Sequence, residues 1–240
     1  MPNPTAAMLV IGDEILSGRT RDANMHHLAC ELTKIGIDLK EVRVVSDDAD
    51  AITGAVKALS AGFAHVFTSG GIGPTHDDIT AENVARAFDR PIGVRDDARA
   101  VLAAHYRASG QELNDARLRM ARIPDGATLI DNPISAAPGF SIENVHVMAG
   151  VPTIFEAMVA SVLPQLAGGA PLLSQSLRIF RGEGDIAGPL GDLAARYPAL
   201  SIGSYPFQQD GAFGAQVVIR GHEGAQVDAA MAELRGRFPA

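Results

Sequence analysis

The chain has 240 residues, 47% hydrophobic and 20% charged, the proportions of an ordinary globular protein and not of a disordered one. A formal net charge of -8 argues against nucleic acid as a default partner, because phosphate backbones are met by clustered Lys and Arg. No apolar run approaches the roughly 18 residues of a membrane span, residues 1–5 lack the basic start of a secretory leader, and the single Cys30 cannot form an internal disulfide, so a cytoplasmic protein without membrane contact is expected.

Ala6 to Ile11 is a continuous apolar run that ends at Gly12, the pattern of a buried parallel strand. Asp22 to Ile35 carries Met25, Leu28, Ala29, Leu32 and Ile35 at helical spacing and stops at Gly36; Cys30 within it is expected to be a small buried hydrophobe. Leu39 to Val45 alternates as a strand, Asp48 to Ala61 reads as a helix, and His65 to Thr68 is a third strand that runs into Gly70 and Gly71. Thr80 is the expected N-cap of a helix reaching Phe88.

The middle of the chain is more helical, with helices expected over Asp96–Ser109 and Glu112–Ala121. Pro124–Gly126 is a turn, Thr128–Ile130 a short strand, Ser141–Ala149 a hairpin through Glu143-Asn144, and Val151–Leu166 a helix opened by Pro152. A Gly- and Pro-containing stretch, Leu166–Pro171, reads as a linker. Beyond it come strand (Leu172–Phe180), helix (Asp185–Arg196), two strands (Leu200–Tyr205 and Ala215–Arg220) and helix (Gly224–Arg237). The expectation is an α/β domain over residues 1–168, with a mostly parallel sheet between helical layers, followed by a small α+β domain over 169–240.

In such sheets ligands bind beyond the carboxyl ends of the strands, and there the unusual residues gather. The segment Thr68–Thr80, TSGGIGPTHDDIT, holds Ser69, Gly70, Gly71, Gly73, Pro74, Thr75 and His76. Its glycines permit positive φ and a close backbone approach, so that successive free N–H groups form an anion nest. Pro74 stiffens the loop, and no Walker or dinucleotide glycine pattern is present. Asp77 and Asp78 follow directly; carboxylates beside a phosphate nest repel the ligand unless a divalent cation such as Mg²⁺ lies between them. Gly12, Asp13 and Glu14 follow the first strand, and Asp47 and Asp48 the second. Asp13 joins Asp77 and Asp78 as an expected metal ligand, whereas Asp48 is equally readable as a helix cap. Two further loops, with Asn132, Pro138 and Gly139, and with Gly150 and Pro152, are expected in the pocket wall.

Together GDEILSGRTRDAN, VVSDD, TSGGIGPTHDDIT, NPISAAPGF and AGVP resemble the molybdopterin-binding superfamily across roughly residues 5 to 165. The tail, with SIGSYPF and QVVIRG, resembles the small domain that follows it in CinA-like and FAD-synthase-associated proteins. The resemblance implies a three-layer α/β/α domain that often forms homo-oligomers, with a pterin or nucleotide phosphate as ligand. In adenylyltransferases of the superfamily, the aspartates matching Asp47 and Asp78 assist AMP transfer to a pterin phosphate. Members of the CinA-like branch similar to this chain hydrolyse dinucleotide pyrophosphates such as ADP-ribose or FAD with a divalent metal; Asp47, Asp77 and Asp78 are then the expected catalytic set, Asp77 and Asp78 placing the metal and Asp47 or Asp13 orienting water, and pterin binding without turnover is the alternative. The chain departs from the family at Met148-Ala149-Gly150, where Leu-Pro-Gly is common, and at Thr153–Phe155, where an acidic residue often follows the Pro.

Overall fold

The computed structural model describes residues 2–209 and 211–239, and they separate into two compact units, Met1–Gly169 and Ala170–Ala240. In the first unit β1 (Thr5–Ile11) leads through a one-turn helix, α1 (Asp13–Leu16), to α2 (Asn24–Lys34) and β2 (Asp38–Val45). Next come α3 (Ala49–Gly62), β3 (His65–Ser69) and α4 (Thr80–Ala87). A short antiparallel pair, β4 (Ile92–Val94) and β5 (Arg122–Pro124), brackets α5 (Asp96–Ala108), α6 (Asp115–Leu118) and a 3-10 turn at Arg119–Ala121. The unit closes with β6 (Thr128–Ile130), β7 (Gly139–Ile142), β8 (Val145–Met148) and α7 (Pro152–Val162).

The main sheet has the order β2-β1-β3-β8-β7-β6. Neighbours from β2 through β8 are parallel, and β7 is antiparallel to both β8 and β6. Strand alternation divides the core in two. Ala7, Leu9 and Ile11 of β1 face one layer with Ile52, Val56, Val84 and Leu102, while Ala6, Met8 and Val10 face the other with Leu28, Leu32, Phe155 and Val159. Helices therefore cover both faces, as an α/β sandwich requires. The chain leaves β1 for β2 on one side and returns to β3 on the other, so the β1/β3 boundary is the topological switch point where such sheets open a crevice.

Several local expectations are corrected. Thr80 is the first helical residue of α4 and Ile79 sits at the cap; the Thr80 side chain is turned inward, its hydroxyl buried without a hydrogen-bond partner. The helix expected over Glu112–Ala121 shrinks to α6 because Asn114 caps it, accepting from the Arg117 N–H, and the chain then turns into β5. Cys30 is exposed, lying away from the α2 face formed by Asn24, Leu28 and Leu32. Asp48 caps α3, its carboxylate accepting from Asp50 and Ala51 N–H at 3.0 and 2.9 Å.

The second unit is a three-stranded antiparallel sheet of order β10-β11-β9, made of β9 (Leu173–Ile179), β10 (Ser201–Gln209) and β11 (Ala212–Gly221). Its core joins Ile179, Ala215, Val217 and Ile219 of the sheet to Ile186 and Leu193 of α8 (Glu183–Arg196) and to Val227, Met231 and Leu234 of α9 (Gly224–Arg237). No helix among the described residues is long and apolar enough to cross a membrane.

Candidate functional site

A cavity of about 600 Å³ opens at the carboxyl ends of β1, β2, β3 and β8. Its wall includes Gly12 and Glu14 after β1, Asp47 after β2, and Gly70, Gly71, Gly73, Pro74, Asp77 and Asp78 after β3. Asn132, Gly150 and Pro152, also expected there, line it as well.

The glycine loop owes its shape to its sequence. Gly70 and Gly71 have φ of 111° and 68°, conformations that a side chain would strain. A Cβ on Gly71 would also stand 2.2 Å from the Thr80 hydroxyl, and one on Gly70 2.2 Å from the Ile11 carbonyl. The loop is pinned at one end by Gly70 N–H donating to Met148 O, and at the other by Thr80 N–H donating to Gly71 O. Between these anchors, Gly71, Ile72 and Gly73 donate no backbone N–H bond among the described residues. Further on, the Asp78 carboxylate accepts from the Thr75 N–H at 2.8 Å and from its hydroxyl at 2.6 Å, closing residues 75–78 into a turn. Unpaired backbone donors on a rigid loop at a cavity wall are the elements of an anion nest.

Opposite, Asp47 accepts the Asp13 N–H at 2.9 Å, which ties the end of β2 to the start of α1. Burial, and then the charges of Asp13, Glu14 and Asp77, push its carboxyl above the usual range despite that hydrogen bond. Asp77 moves the other way: the Thr75 side chain and local backbone N–H hold its carboxyl low. Neighbouring carboxyl groups displaced in opposite directions are a common basis for dividing acid–base labour.

Not every expected residue reaches the cavity. Asp13 contributes its backbone N–H, and its side chain is absent from the wall. Ser69 is buried and bonds to Asn24. Thr75 braces Asp78, and the His76 side chain is 99% exposed. Pro138 lines a smaller neighbouring cleft, and Gly139 packs against β8, where a Cβ would meet the Val147 carbonyl at 2.3 Å. Asn132 lies in the wall but spends its side chain on its own loop, bonding Ser135 and the Ala137 carbonyl.

Other residues enter unannounced. Among the described residues Arg19 is the only cation in the cavity wall, and Ile72, Met120, Val151 and Ile154 give it apolar surface. Asn24 is 3% exposed and its amide donates to Ser69 Oγ at 2.7 Å and Gly150 O at 2.8 Å, joining three of the site's loops. A single asparagine at a helix start carries no mark of such a role in sequence, because its partners are 45 and 126 residues away.

The donor set along the wall (Glu14, Asp47, Asp77 and Asp78) is all oxygen, which suits a hard divalent cation. Among the described residues, however, no three His, Cys, Asp or Glu side chains group closely enough to hold one, and Asp13, Asp77 and Asp78 form no such cluster. The carboxylates thus line the wall without grouping into a ready-made metal site.

Residues 7–168 match the family described as "Probable molybdopterin binding domain". The chain belongs to the molybdopterin-binding domain family. Residues 171–240 match the "FAD synthase, middle domain" family, so a molybdopterin-binding domain is here fused to a FAD synthase middle domain. A "Probable FAD synthase" of Caenorhabditis elegans is 33% identical over 96% of the chain, which spans 49% of that protein. A "CinA-like protein" of Citrifermentans bemidjiense is 39% identical over 68% of the chain, and the match spans 40% of that protein. The chain thus spans about half the length, or less, of these two relatives. Among solved structures, a CinA protein "with unknown function" from Thermoplasma acidophilum superimposes with a TM-score of 0.63 at 33% identity. It covers 69% of this chain and 99% of its own. The molybdopterin-binding domain is therefore of the CinA-like type.

Proposed function

We propose that the molybdopterin-binding domain binds a pterin or nucleotide pyrophosphate and hydrolyses a dinucleotide pyrophosphate of the ADP-ribose or FAD kind. The observation that carries this reading is the row of N–H groups on Gly71, Ile72 and Gly73, unpaired among the described residues, on a loop that lines a cavity with room for a planar ring beside a diphosphate. The relatives' names give nucleotide chemistry as a precedent.

In this reading the glycine loop holds the diphosphate, and Met120, Val151 and Ile154 take up the ring. Asp47, fixed by the Asp13 N–H, accepts a proton from the attacking water; its raised proton affinity brings it nearer to the working pH of a general base. The water oxygen bonds to one phosphorus, the bridging P–O bond breaks, and two phosphate monoesters leave. Asp77 and Asp78 would hold a divalent cation with the ligand's oxygens, and that cation would neutralise developing charge when bound.

The test is hydrolysis of ADP-ribose and FAD with Mg²⁺, Mn²⁺ or Co²⁺, comparing the wild type with Asp47→Asn. Loss of a proton acceptor lowers the rate by roughly 10²–10⁴-fold, so AMP release should fall at least a hundredfold with an unchanged melting profile. Undiminished turnover in the variant removes Asp47 from the mechanism. A second reading, ligand binding without turnover, has one observation in its favour: the Asp78 carboxylate is already engaged by Thr75. Tight pterin or nucleotide binding with no hydrolysis under any metal would select it.

A further inference from the structure

Arg119 sits in the 3-10 turn before β5 and lines a small cleft together with Gly71, Ile72 and Gly73 of the glycine loop. Its guanidinium forms one hydrogen bond, Nη2 to the Asp78 carbonyl at 3.4 Å, at the long limit for such a bond. The Nε atom is buried and has no partner. Neighbouring carboxylates are committed elsewhere: Glu82 pairs with Arg122, and Asp78 accepts from Thr75. Among the described residues Arg119 has no ion pair. A half-buried cation whose buried Nε–H has no acceptor is costly to keep, and it is ordinarily matched by an anion.

The space beside Arg119 indicates which anion. A cleft of about 20 Å³ separates it from the loop, and this cleft shares Gly71, Ile72, Gly73, Asp78 and Met120 with the main cavity. Room for one water-sized group accommodates a single oxygen atom and not a whole phosphate. We propose that Arg119 is an anion-binding residue of the glycine loop, its guanidinium taking one oxygen of a phosphate seated on Gly71–Gly73. Nest and guanidinium then grip the same group from two sides, the loop with directional N–H donors and Arg119 with full charge. The assignment rests on reading the loop as a phosphate cradle and adds to it a residue outside the glycine motif.

The experiment titrates the protein with inorganic pyrophosphate in Mg²⁺ buffer. Calorimetry compares wild type, Arg119→Met and Arg119→Lys, with adenosine as a phosphate-free control. A charge-assisted hydrogen bond supports a loss of about tenfold or more in pyrophosphate affinity for Arg119→Met, with partial recovery in Arg119→Lys and adenosine binding unchanged. In parallel, the Arg119 Nε–H resonance of the wild-type protein, identified by its absence from Arg119→Lys, should shift on pyrophosphate addition; this decides the matter even if Arg119→Met fails to fold. Wild-type affinity in Arg119→Met, or an unmoved Nε–H signal while pyrophosphate binds, overturns the assignment and leaves the cradle standing. Failure of the wild type to bind either pyrophosphate or ADP-ribose overturns both.

Discussion

His146 on β8 is 6% exposed, and its ring lies 5.0 Å from that of Phe67 and 5.6 Å from that of His65. Its Nδ1 is 2.8 Å from Ser141 Oγ and its Nε2 is 3.4 Å from His65 Nδ1. Burial first, and the second imidazole next, bring its pKa from 6.5 down to about 4. The folded protein therefore keeps His146 neutral where the unfolded chain protonates it. The associated stability is full above pH 6.5, falls as the pH drops from 6.5 towards 4, and levels off below. At about 1.4 kcal/mol for each unit of displacement, the loss reaches roughly 3 kcal/mol. Urea unfolding at pH 7 and pH 5 should show the decline, and His146→Phe should flatten it; parallel pH profiles for the two proteins would dismiss this histidine as the cause. Sequence offered no hint of the pair, because His65 and His146 are 81 residues apart and meet only across the β3–β8 register. Asp47 was legible for the opposite reason: it ends a strand in a run of acidic residues, and strand ends converge in a parallel sheet.

At the scale of elements, sequence left two roles open for Asp48, and the structure gives it the cap of α3. Asp48→Ala should cost about 1 kcal/mol of stability, the usual worth of a side-chain cap. Calorimetric unfolding would measure this, and hydrolysis by the folded variant should be unaffected; a large catalytic defect would return Asp48 to the site. Long periodic helices such as α2, α3 and α9 were legible because their apolar stripes repeat at helical spacing. The one-turn helix α1 was not, since four residues hold too little of the period; α6 was read as part of a longer helix, and the three-residue strands β4 and β5 are too short to show alternation. Thr80 was misplaced by one position because a capping residue and an inward-facing first-turn residue look alike in sequence.

For the whole molecule, among the described residues the two apolar clusters of the first unit are built from residues up to 166 and the cluster of the second unit from residues 177 onwards. The Thermoplasma CinA protein is matched over 99% of its length by 69% of this chain. A fragment of residues 1–169 should therefore fold with its own cooperative melting transition and retain pyrophosphate binding; a fragment without dispersed amide resonances would show that its core is incomplete. The alternation of strands and helices, the glycine loop and the acidic strand ends were fixed by sequence alone, because each is a local pattern of period, turn chemistry and charge. What only the tertiary structure decided was which of these meet: Asn24 tying Ser69 to Gly150, Arg119 lining a cleft with the loop, Arg19 in the wall, Asp13 offering its backbone instead of its carboxylate. Such contacts depend on sheet order and on the side each crossover takes, and they join residues whose separation along the chain carries no trace of their nearness in space.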